Sequence, residues 1–384
     1  MKFLKKTFKF IVVLLVLTVA VLYITDTDYL IKAVRTIYMK GHTTAFLEDY
    51  KEFDNQQIDI ATPQPWPNHK DYNTVAETSE LESIHTATGT IAFVIIKNDS
   101  IWFENYYDGF NENSKSNSFS MAKSYVSGLM QKAIQDGYIK SLDQPVCDFL
   151  PAFCEGKAAK MTVGDLSSMS SGTNWDEAYY SPLSITTRAY FDDDLAKVMN
   201  GLEMETDPGK SFKYASGDTQ MLAMVIEKAS GKKMYDYFEE SFWKPLGAEN
   251  ETLWQVDSED HDLVKAYCCI ASNAKDFARY GKLFKDHGKW NGRQILDSTF
   301  VAKSVKPRFS DSPQYGYGWW LASFDEKEVF YMRGHLGQYV IVIPEDNVIV
   351  VRLGHSIEKS NPDIDPHSAD FYSLLFEAYE MLNK

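Results

Sequence analysis

The sequence is poor in positive charge and lacks the short motifs of several large enzyme classes. It has 39 Lys and Arg against 54 Asp and Glu, which gives a net charge of -15. Because phosphate contacts need clustered cations, we do not expect a nucleic-acid partner. The chain contains no Walker loop, no G-x-G-x-x-G and no G-x-S-x-G. These absences argue against the common nucleotide-binding folds and against the nucleophile elbow of α/β-hydrolases.

Cysteine is scarce, and the four cysteines do not form a metal-binding pattern. There is no C-x-x-C and no H-E-x-x-H, so we predict no metal site. The reaction class inferred below from the sequence needs no cofactor. Cys147 and Cys154 have a spacing that a disulfide could close, while Cys268 and Cys269 are adjacent. A bond between neighbours is strained, so one of the adjacent pair is an alternative partner for Cys147 or Cys154. Buried free thiols are the remaining alternative.

A single long apolar run is present, and it stands at the N-terminus. It spans residues 10–25 and follows four lysines: Lys2, Lys5, Lys6 and Lys9. Lysines before an apolar run keep that end in the cytoplasm, so the rest of the chain is expected to be exported. The run is short for a membrane span (~17–25 residues) and long for a signal-peptide core (about 7–15). We expect a single-pass anchor with an extracytoplasmic, periplasmic domain, or a secreted protein if the segment is cleaved.

The predicted organisation is a basic tail at 1–9, an anchor or signal segment at 10–25, a stalk or lead-in at 26–75 and a folded domain at 76–384. Three prolines in "ATPQPWPNHK" favour an extended lead-in. Hydrophobic residues make up 44% of the chain, which is enough for one large core.

Strand-like runs lie near both ends of the folded domain, with helical patterns between them. "TIAFVIIKNDSIWFENYY" indicates a hairpin, and a helix is expected from about Ser120 to Gln135. Residues 135–265 are predicted to be mainly helix and loop. Strands return after "YGYGWW", and a helix over about 365–383 closes the chain. We therefore predict an antiparallel sheet completed by both ends of the domain, flanked by helices, with an inserted helical subdomain.

The stretch "NSFSMAKSYVSG" places Ser120 three residues before Lys123 at the start of the predicted helix. Residues i and i+3 share a helix face, so the lysine amine can reach the serine hydroxyl. The first turn also presents free backbone N–H groups and the positive end of the helix dipole, which disfavour a second positive charge. A desolvated lysine there can accept a proton and make Ser120 a nucleophile. The alternative is a helix cap beside a solvated lysine.

Two further segments complete an ordered set. Tyr214-Ala215-Ser216 precedes a helical stretch, and His335-Leu336-Gly337 precedes a strand. The set resembles the S-x-x-K, Y-x-N and K-T-G motifs of the serine β-lactamase and penicillin-binding-protein superfamily. "MTVGDLSSMSSGTNW", "DPGKSFKYAS" and "YGYGWW" also resemble phrases of class C-like members. The resemblance covers roughly residues 80–380 and implies an α+β, β-lactamase/DD-peptidase-like fold.

The departures from those motifs bear on the substrate. Ser216 stands where β-lactamases usually have Asn, and His335 stands where they have the Lys that helps to bind a carboxylate. A largely neutral histidine is a weaker anion anchor, which Arg333 could offset if strand alternation places both on one face. Histidine here resembles family VIII carboxylesterases and the nylon-oligomer (aminohexanoate-dimer) hydrolases. This resemblance implies hydrolysis of an ester or amide that is not a β-lactam.

The resemblance also implies roles for individual residues. Ser120 attacks the carbonyl carbon, Lys123 and Tyr214 share its proton, and the oxyanion lies between the N–H groups of Ser120 and Gln338. Positions implied to orient Tyr214 or contact substrate are His335, Gly337 and Ser216, with Tyr180 in a loop over the site. The expected partner is a small ester, amide or peptide-like substrate.

Two alternatives stay open. The first is a β-lactamase or a DD-peptidase that acts on peptidoglycan stems. The second is a non-catalytic, ligand-sensing relative of penicillin-binding proteins. A charge run at 192–194 and the paired tryptophans at 319–320 are interpreted as a solvated face and as core.

Overall fold

The protein is a mixed fold of helices and antiparallel strands. The computed structural model describes residues 2–357 and 366–384. The helices are α1 (Lys2–Ile24), α2 (Tyr29–Thr36), α3 (Ser79–Thr88), α4 (Ala122–Gln135), α5 (Val163–Ser167), α6 (Ile185–Phe191), α7 (Leu195–Asn200), α8 (Ser216–Ser230), α9 (Met234–Phe238), α10 (Ala274–Lys285), α11 (Ser298–Ser304) and α12 (Ala369–Leu382). The strands are β1 (Asn55–Ile58), β2 (Thr90–Lys97), β3 (Ser100–Tyr106), β4 (Ser116–Asn117), β5 (Thr252–Gln255), β6 (Ile270–Ser272), β7 (Lys289–Trp290), β8 (Arg293–Gln294), β9 (Trp320–Phe324), β10 (Lys327–Gly334), β11 (Gln338–Ile343) and β12 (Val348–Gly354).

The main sheet has six antiparallel strands in the order β3-β2-β12-β11-β10-β9. Strand β12 pairs with β2, so that Val350 lies opposite Ile95 although 255 positions separate them in sequence. The hairpin predicted from "TIAFVIIKNDSIWFENYY" forms β2 and β3. The prediction of an antiparallel sheet completed by both ends of the domain is therefore confirmed.

Helices cover both faces of this sheet. One face packs against α3 and α12, where Leu81, Phe371 and Leu374 are fully buried. The other face packs against α10, in which Gly281 allows a close approach. A Cβ atom at Gly281 would lie 2.9 Å from Val340 Cγ1, so even alanine would push the helix away from the sheet. Buried residues alternate along β12 between the two faces, as a covered sheet requires.

The helical region contains a second, smaller sheet that the sequence patterns did not predict. Its four strands run in the order β1-β5-β6-β4. Strand β5 lies within the stretch at 135–265 that was predicted as helix and loop. Its partner β1 is about 200 residues away in sequence, with Gln56 opposite Trp254. Strands this short show little periodicity of their own, because distant pairing stabilises them.

Residues 26–58 differ from an isolated stalk because they pack against the domain. Tyr29, Ala33 and Ile37 are buried on one face of the chain at a spacing of four residues, which is the period of an amphipathic helix. Asp26 forms ion pairs with Arg188 and Lys197. These contacts hold the segment beside α6 and α7. Residues 61–67 are without regular secondary structure, as their three prolines predict.

Helix α1 extends away from the domain. Among residues 2–357 and 366–384, it alone is long and apolar enough to cross a membrane, with a mean hydropathy of 2.6 over Phe3–Ile24. A signal sequence has the same length and composition.

All four cysteines are paired with their nearest cysteine in sequence. Cys147 bonds Cys154, and Cys268 bonds Cys269. The alternative in which the two pairs exchange partners is not observed. The second pair lies beside the pocket described below.

Candidate active site

The nucleophile loop is held in place by a buried hydrogen-bond network. Asn117 accepts the backbone N–H of Phe119 at 2.8 Å and donates its side-chain amide to Asp49 at 2.9 Å. Phe119 has a φ of 44°, which is uncommon for a residue other than glycine. This left-handed turn is followed by Ser120, immediately before α4 begins at Ala122. Buried side chains thus fix the backbone at the position where the sequence predicts a nucleophile.

Lys123 lies beneath Ser120, in the first turn of α4. Its Nζ atom donates to Ser120 Oγ at 2.8 Å and to the Tyr267 carbonyl at 2.9 Å. The side chain is buried, and burial lowers the pKa of Lys123 to about 8, against an opposing effect of the Glu177 charge. An appreciable fraction of the amine is therefore neutral near pH 7, which a proton acceptor requires.

Tyr214 is brought to the same serine from the segment before α8. Burial raises the pKa of Tyr214, and the Glu177 charge raises it further, while the nearby Ser120 hydroxyl has the opposite effect. The Lys123 amine lies 5.1 Å from the centre of the Tyr214 ring. The structure thus gathers Ser120, Lys123 and Tyr214, with the phenol in its protonated form at neutral pH.

The third motif lies in a turn between two strands. Strand β10 ends at Gly334 and β11 begins at Gln338, so His335-Leu336-Gly337 forms the connection itself. A Cβ atom at Gly334 would lie 2.3 Å from the carbonyl oxygen of Ser118. This close approach brings the turn against the nucleophile loop.

Gly337 and Gln338 stabilise this turn from within. A side chain at Gly337, where φ is 79°, would collide with the guanidinium of Arg352. That guanidinium donates to the carbonyls of Leu336 and Gly337. The Gln338 amide donates to the carbonyl of Gly354 at 2.7 Å. Both residues therefore shape the turn with groups that face the protein interior.

His335 faces an aromatic wall. Its ring lies 5.6 Å from Phe119 and 5.1 Å from Tyr179, and its Nε2 is 3.4 Å from Thr44 Oγ1. Burial lowers the pKa of His335 to about 4, so the ring is neutral at pH 7. The sequence resemblance implied a weak anion anchor here, and a neutral ring has that property.

Arg333 does not share this face. Its guanidinium donates to the carbonyl of Pro366 at 2.7 Å and lies 5.1 Å from the Trp320 ring. The turn that begins at His335 interrupts the strand alternation on which shared orientation depended. Arg333 instead influences Tyr214 through its charge, which lowers the pKa of the phenol.

Glu177 is a site residue that the sequence patterns did not identify. Its carboxylate accepts the Trp175 indole N–H at 3.0 Å and the backbone N–H of Ser216. The second carboxylate oxygen is buried without a hydrogen-bond partner in the part of the chain that the structure describes. The only sequence signal was an acidic pair in the aromatic stretch "NWDEAYY".

Ser216 and Tyr180 occupy different parts of the site from the three central residues. Ser216 begins α8, where its backbone N–H is bound by Glu177, and its side chain borders the cavity. Lys123 donates to Ser120 and to Tyr267. Tyr180 stands at the rim, with 67% of its side chain exposed.

A cavity of about 270 Å³ opens above these residues. Its floor includes Ser120, Ser216, Tyr267, Cys268 and His335. Its walls come from α2, from residues 43–45, from residues 179–182 and from α6. Within residues 2–357 and 366–384, no three His, Cys, Asp or Glu side chains are grouped to hold a metal ion.

Comparisons with known proteins agree with this architecture. A family model described as Beta-lactamase matches residues 76–367. The 6-aminohexanoate-dimer hydrolase of Paenarthrobacter ureafaciens is 23% identical over 296 residues, which are 71% of this chain and 74% of that protein.

Solved structures extend the similarity to the fold. A structure titled "Putative 6-aminohexanoate-dimer hydrolase from Bacillus anthracis" superposes with a TM-score of 0.70 at 18% identity, covering 86% of this chain and 92% of that one. A penicillin-binding protein from Bacillus halodurans superposes with a TM-score of 0.60 at 18% identity, covering 72% and 95%. The predicted β-lactamase/DD-peptidase-like fold is confirmed.

Proposed function

The chain belongs to the Beta-lactamase family, and from that premise we propose that it is a serine hydrolase that cleaves an ester or amide through an acyl-enzyme on Ser120. The observation that carries this proposal is the 2.8 Å contact between Lys123 Nζ and Ser120 Oγ, with the lysine buried. A solvated surface lysine would not make a proton acceptor of this kind. The relatives named as hydrolases support the reaction class.

Acylation begins with proton transfer from Ser120. Because the pKa of Lys123 is lowered and that of Tyr214 is raised, Lys123 is the group that first accepts this proton. Tyr214, whose phenol is close enough to Ser120 for the serine hydroxyl to lower its pKa, then donates a proton to the leaving group and is reprotonated by Lys123. Water cleaves the acyl-enzyme by the same route in reverse.

Charge on the tetrahedral oxygen is stabilised by backbone donors. The candidates are the N–H groups of Ser120 and Gln338, which belong to segments in contact at Gly334 and Ser118. Donors of this type are fixed before reaction and so need no rearrangement. In this proposal His335 orients the substrate as a neutral ring, and Ser216 contacts the leaving-group side.

The test is covalent labelling followed by turnover. A fluorophosphonate probe should label Ser120 in the full-length protein, and Ser120→Ala should abolish both labelling and hydrolysis of p-nitrophenyl acetate. Tyr214→Phe should lower kcat by ~10³-fold, as expected for a member of a catalytic unit. Ser323→Ala is the matched control, because that exposed serine lies on β9, outside the nucleophile loop and the cavity. Labelling that persists in Ser120→Ala would contradict the proposal.

The same assays separate the alternatives. A non-catalytic ligand sensor would show no turnover of any ester. A β-lactamase or DD-peptidase would hydrolyse nitrocefin or a D-alanyl-D-alanine peptide faster than simple esters. The neutral state of His335 favours the ester or amide substrate. We also propose that α1 holds the enzyme in the cell envelope, on the basis of its lysine flank and apolar composition.

A further inference from the structure

The cavity above Ser120 is lined by uncharged side chains. Among the residues that the structure describes, no Asp, Glu, Lys or Arg lines it, although these four types make up 24% of the chain. Its one histidine, His335, is neutral at pH 7 because burial lowers its pKa to about 4. A carboxylate or ammonium group in this space would lose its water without gaining a partner.

Apolar residues of α2 form one wall of the cavity. Ala33 is buried there, as is Ile37 immediately after the helix, and Leu30 and Val34 also border the space. The facing wall is α6, with Tyr190 and Phe191. A hydrogen bond from the Tyr29 hydroxyl to the Pro182 carbonyl at 3.1 Å fixes α2 against the segment that precedes α6. The wall is therefore a built part of the site, although it comes from the predicted lead-in.

This wall is continuous with the apolar helix α1. Helix α1 ends at Ile24, and α2 begins at Tyr29. Asp26, between them, is bound to Arg188 in α6 and to Lys197 in α7. If α1 lies in a lipid bilayer, α2 lies at the bilayer surface, where it exposes the apolar Ile31 and the cation Arg35.

On these grounds, and resting on the proposed function, we infer that the substrate is an ester or amide of an uncharged, apolar acyl chain that binds beneath α2. The Ser120 oxygen bonds to the acyl carbon, the bond to the alcohol or amine breaks, and the leaving group takes the serine proton. Water then cleaves the acyl–serine bond, which yields the fatty acid and restores the hydroxyl. A membrane lipid and a free ester share this chemistry.

The first test compares p-nitrophenyl acetate, butyrate and hexanoate with the mono-p-nitrophenyl ester of adipic acid. Each methylene taken up by the cavity should raise kcat/KM about fourfold, so hexanoate should exceed acetate by ~10²-fold. Adipate has the same chain length as hexanoate with a terminal carboxylate, and it should react at least about tenfold more slowly. Equal rates along the series, or faster reaction of adipate, would overturn the inference.

Two substitutions on α2 form a matched pair. Leu30→Lys places a cation at the cavity, because Leu30 borders that space and packs against the core, and it should reduce the preference for hexanoate over adipate by about tenfold. Ile31→Lys introduces the same charge outside the cavity and should leave that ratio unchanged. If the two variants change the ratio equally, α2 is not the wall of the acyl site. Ala33→Phe should lower the hexanoate-to-acetate ratio, because the ring occupies the acyl space.

A third test identifies whether the acyl chain comes from a membrane lipid or from a free ester. Full-length protein in phosphatidylcholine vesicles is assayed with p-nitrophenyl palmitate dissolved in the bilayer and, separately, with p-nitrophenyl hexanoate dissolved in water. Faster turnover of palmitate assigns the substrate to the membrane, and faster turnover of hexanoate assigns it to free esters. If neither ester is hydrolysed while the fluorophosphonate still labels Ser120, the acyl-chain inference is wrong and the proposed function stands. Loss of labelling as well would overturn the proposed function.

Discussion

The carboxylate of Glu177 accepts the backbone N–H of Ser216, the first residue of α8. An acid at a helix N-terminus is stabilised by the unpaired N–H groups and the helix dipole. This contact joins the aromatic loop around Tyr179 to the segment that carries Tyr214. It also places a negative charge near Lys123, whose pKa that charge raises.

Replacing this acid should therefore shift the pH dependence of the enzyme. In Glu177→Gln the amide oxygen still accepts the Ser216 N–H, but the charge is gone, so the pKa of Lys123 should fall below about 8. The acid limb of kcat/KM for p-nitrophenyl acetate should move to lower pH. Glu205→Gln is the control, because Glu205 is an exposed partner of Lys213. An unmoved acid limb would show that Glu177 does not act on Lys123.

The buried lysine should cost stability. Its pKa of about 8 in the folded protein lies below the ordinary value of ~10.4. Between these values the unfolded chain binds more protons, so the contribution of Lys123 to stability rises with pH from about 8 to about 10.4. Lys123→Met should relieve at most about 3 kcal/mol at pH 6.5 and less at pH 9.5, while abolishing turnover.

Thermal unfolding at both pH values measures this difference. The exposed lysine at position 228 provides the control, since Lys228→Met should change the melting temperature little at either pH. A gain in Tm for Lys123→Met that is the same at pH 6.5 and pH 9.5 would mean that the charge is not its cause.

Asp49 should be required for the geometry of the nucleophile loop. It is fully buried and accepts hydrogen bonds from Asn117, Tyr190 and Gln255. Asp49→Ala leaves these donors unpaired and should cost about 3 kcal/mol or more in the free energy of unfolding. Asp49→Asn keeps one acceptor oxygen and should retain most of the stability. Chemical denaturation of the two variants provides the comparison, and equal losses would contradict the proposed network.

His335 should control discrimination against anionic substrates. His335→Lys supplies a cation where the native ring is neutral at pH 7. Acylation by nitrocefin should rise by about tenfold or more, while hexanoate ester turnover should fall. His287→Lys makes the same change at an exposed position. If His335→Lys leaves the reaction with nitrocefin unchanged while fluorophosphonate labelling persists, the charge at position 335 does not control reactivity towards β-lactams.

The part of the site that could be predicted was the contact between residues that are close together in sequence. Ser120 and Lys123 are one helical turn apart, so their contact follows from helix geometry alone. Tyr214 and the His335 turn are distant, and only the order of three motifs indicated that they belong together. The six-stranded sheet was predictable because its central strands β2, β11 and β12 are long and mainly apolar.

The remaining features depend on pairing between distant segments. Glu177 contacts the N-terminus of α8, which lies 39 residues later in the sequence. No local sequence pattern shows that a loop carboxylate makes such a contact. The amphipathic spacing of Tyr29, Ala33 and Ile37 was present in the sequence, but its partner surface on α6 was not. The strands β1 and β5 are four residues long and are defined mainly by each other.

The pairing of β12 with β2 has a consequence for biosynthesis. The ribosome synthesises the residues of β2 and the nucleophile loop long before those of β11 and β12. The nascent chain thus exposes Ser120 and Lys123 without the turn that completes their surroundings. Such non-local closure slows folding, and it also means that a growing polypeptide cannot hydrolyse anything until nearly its whole length has been translated.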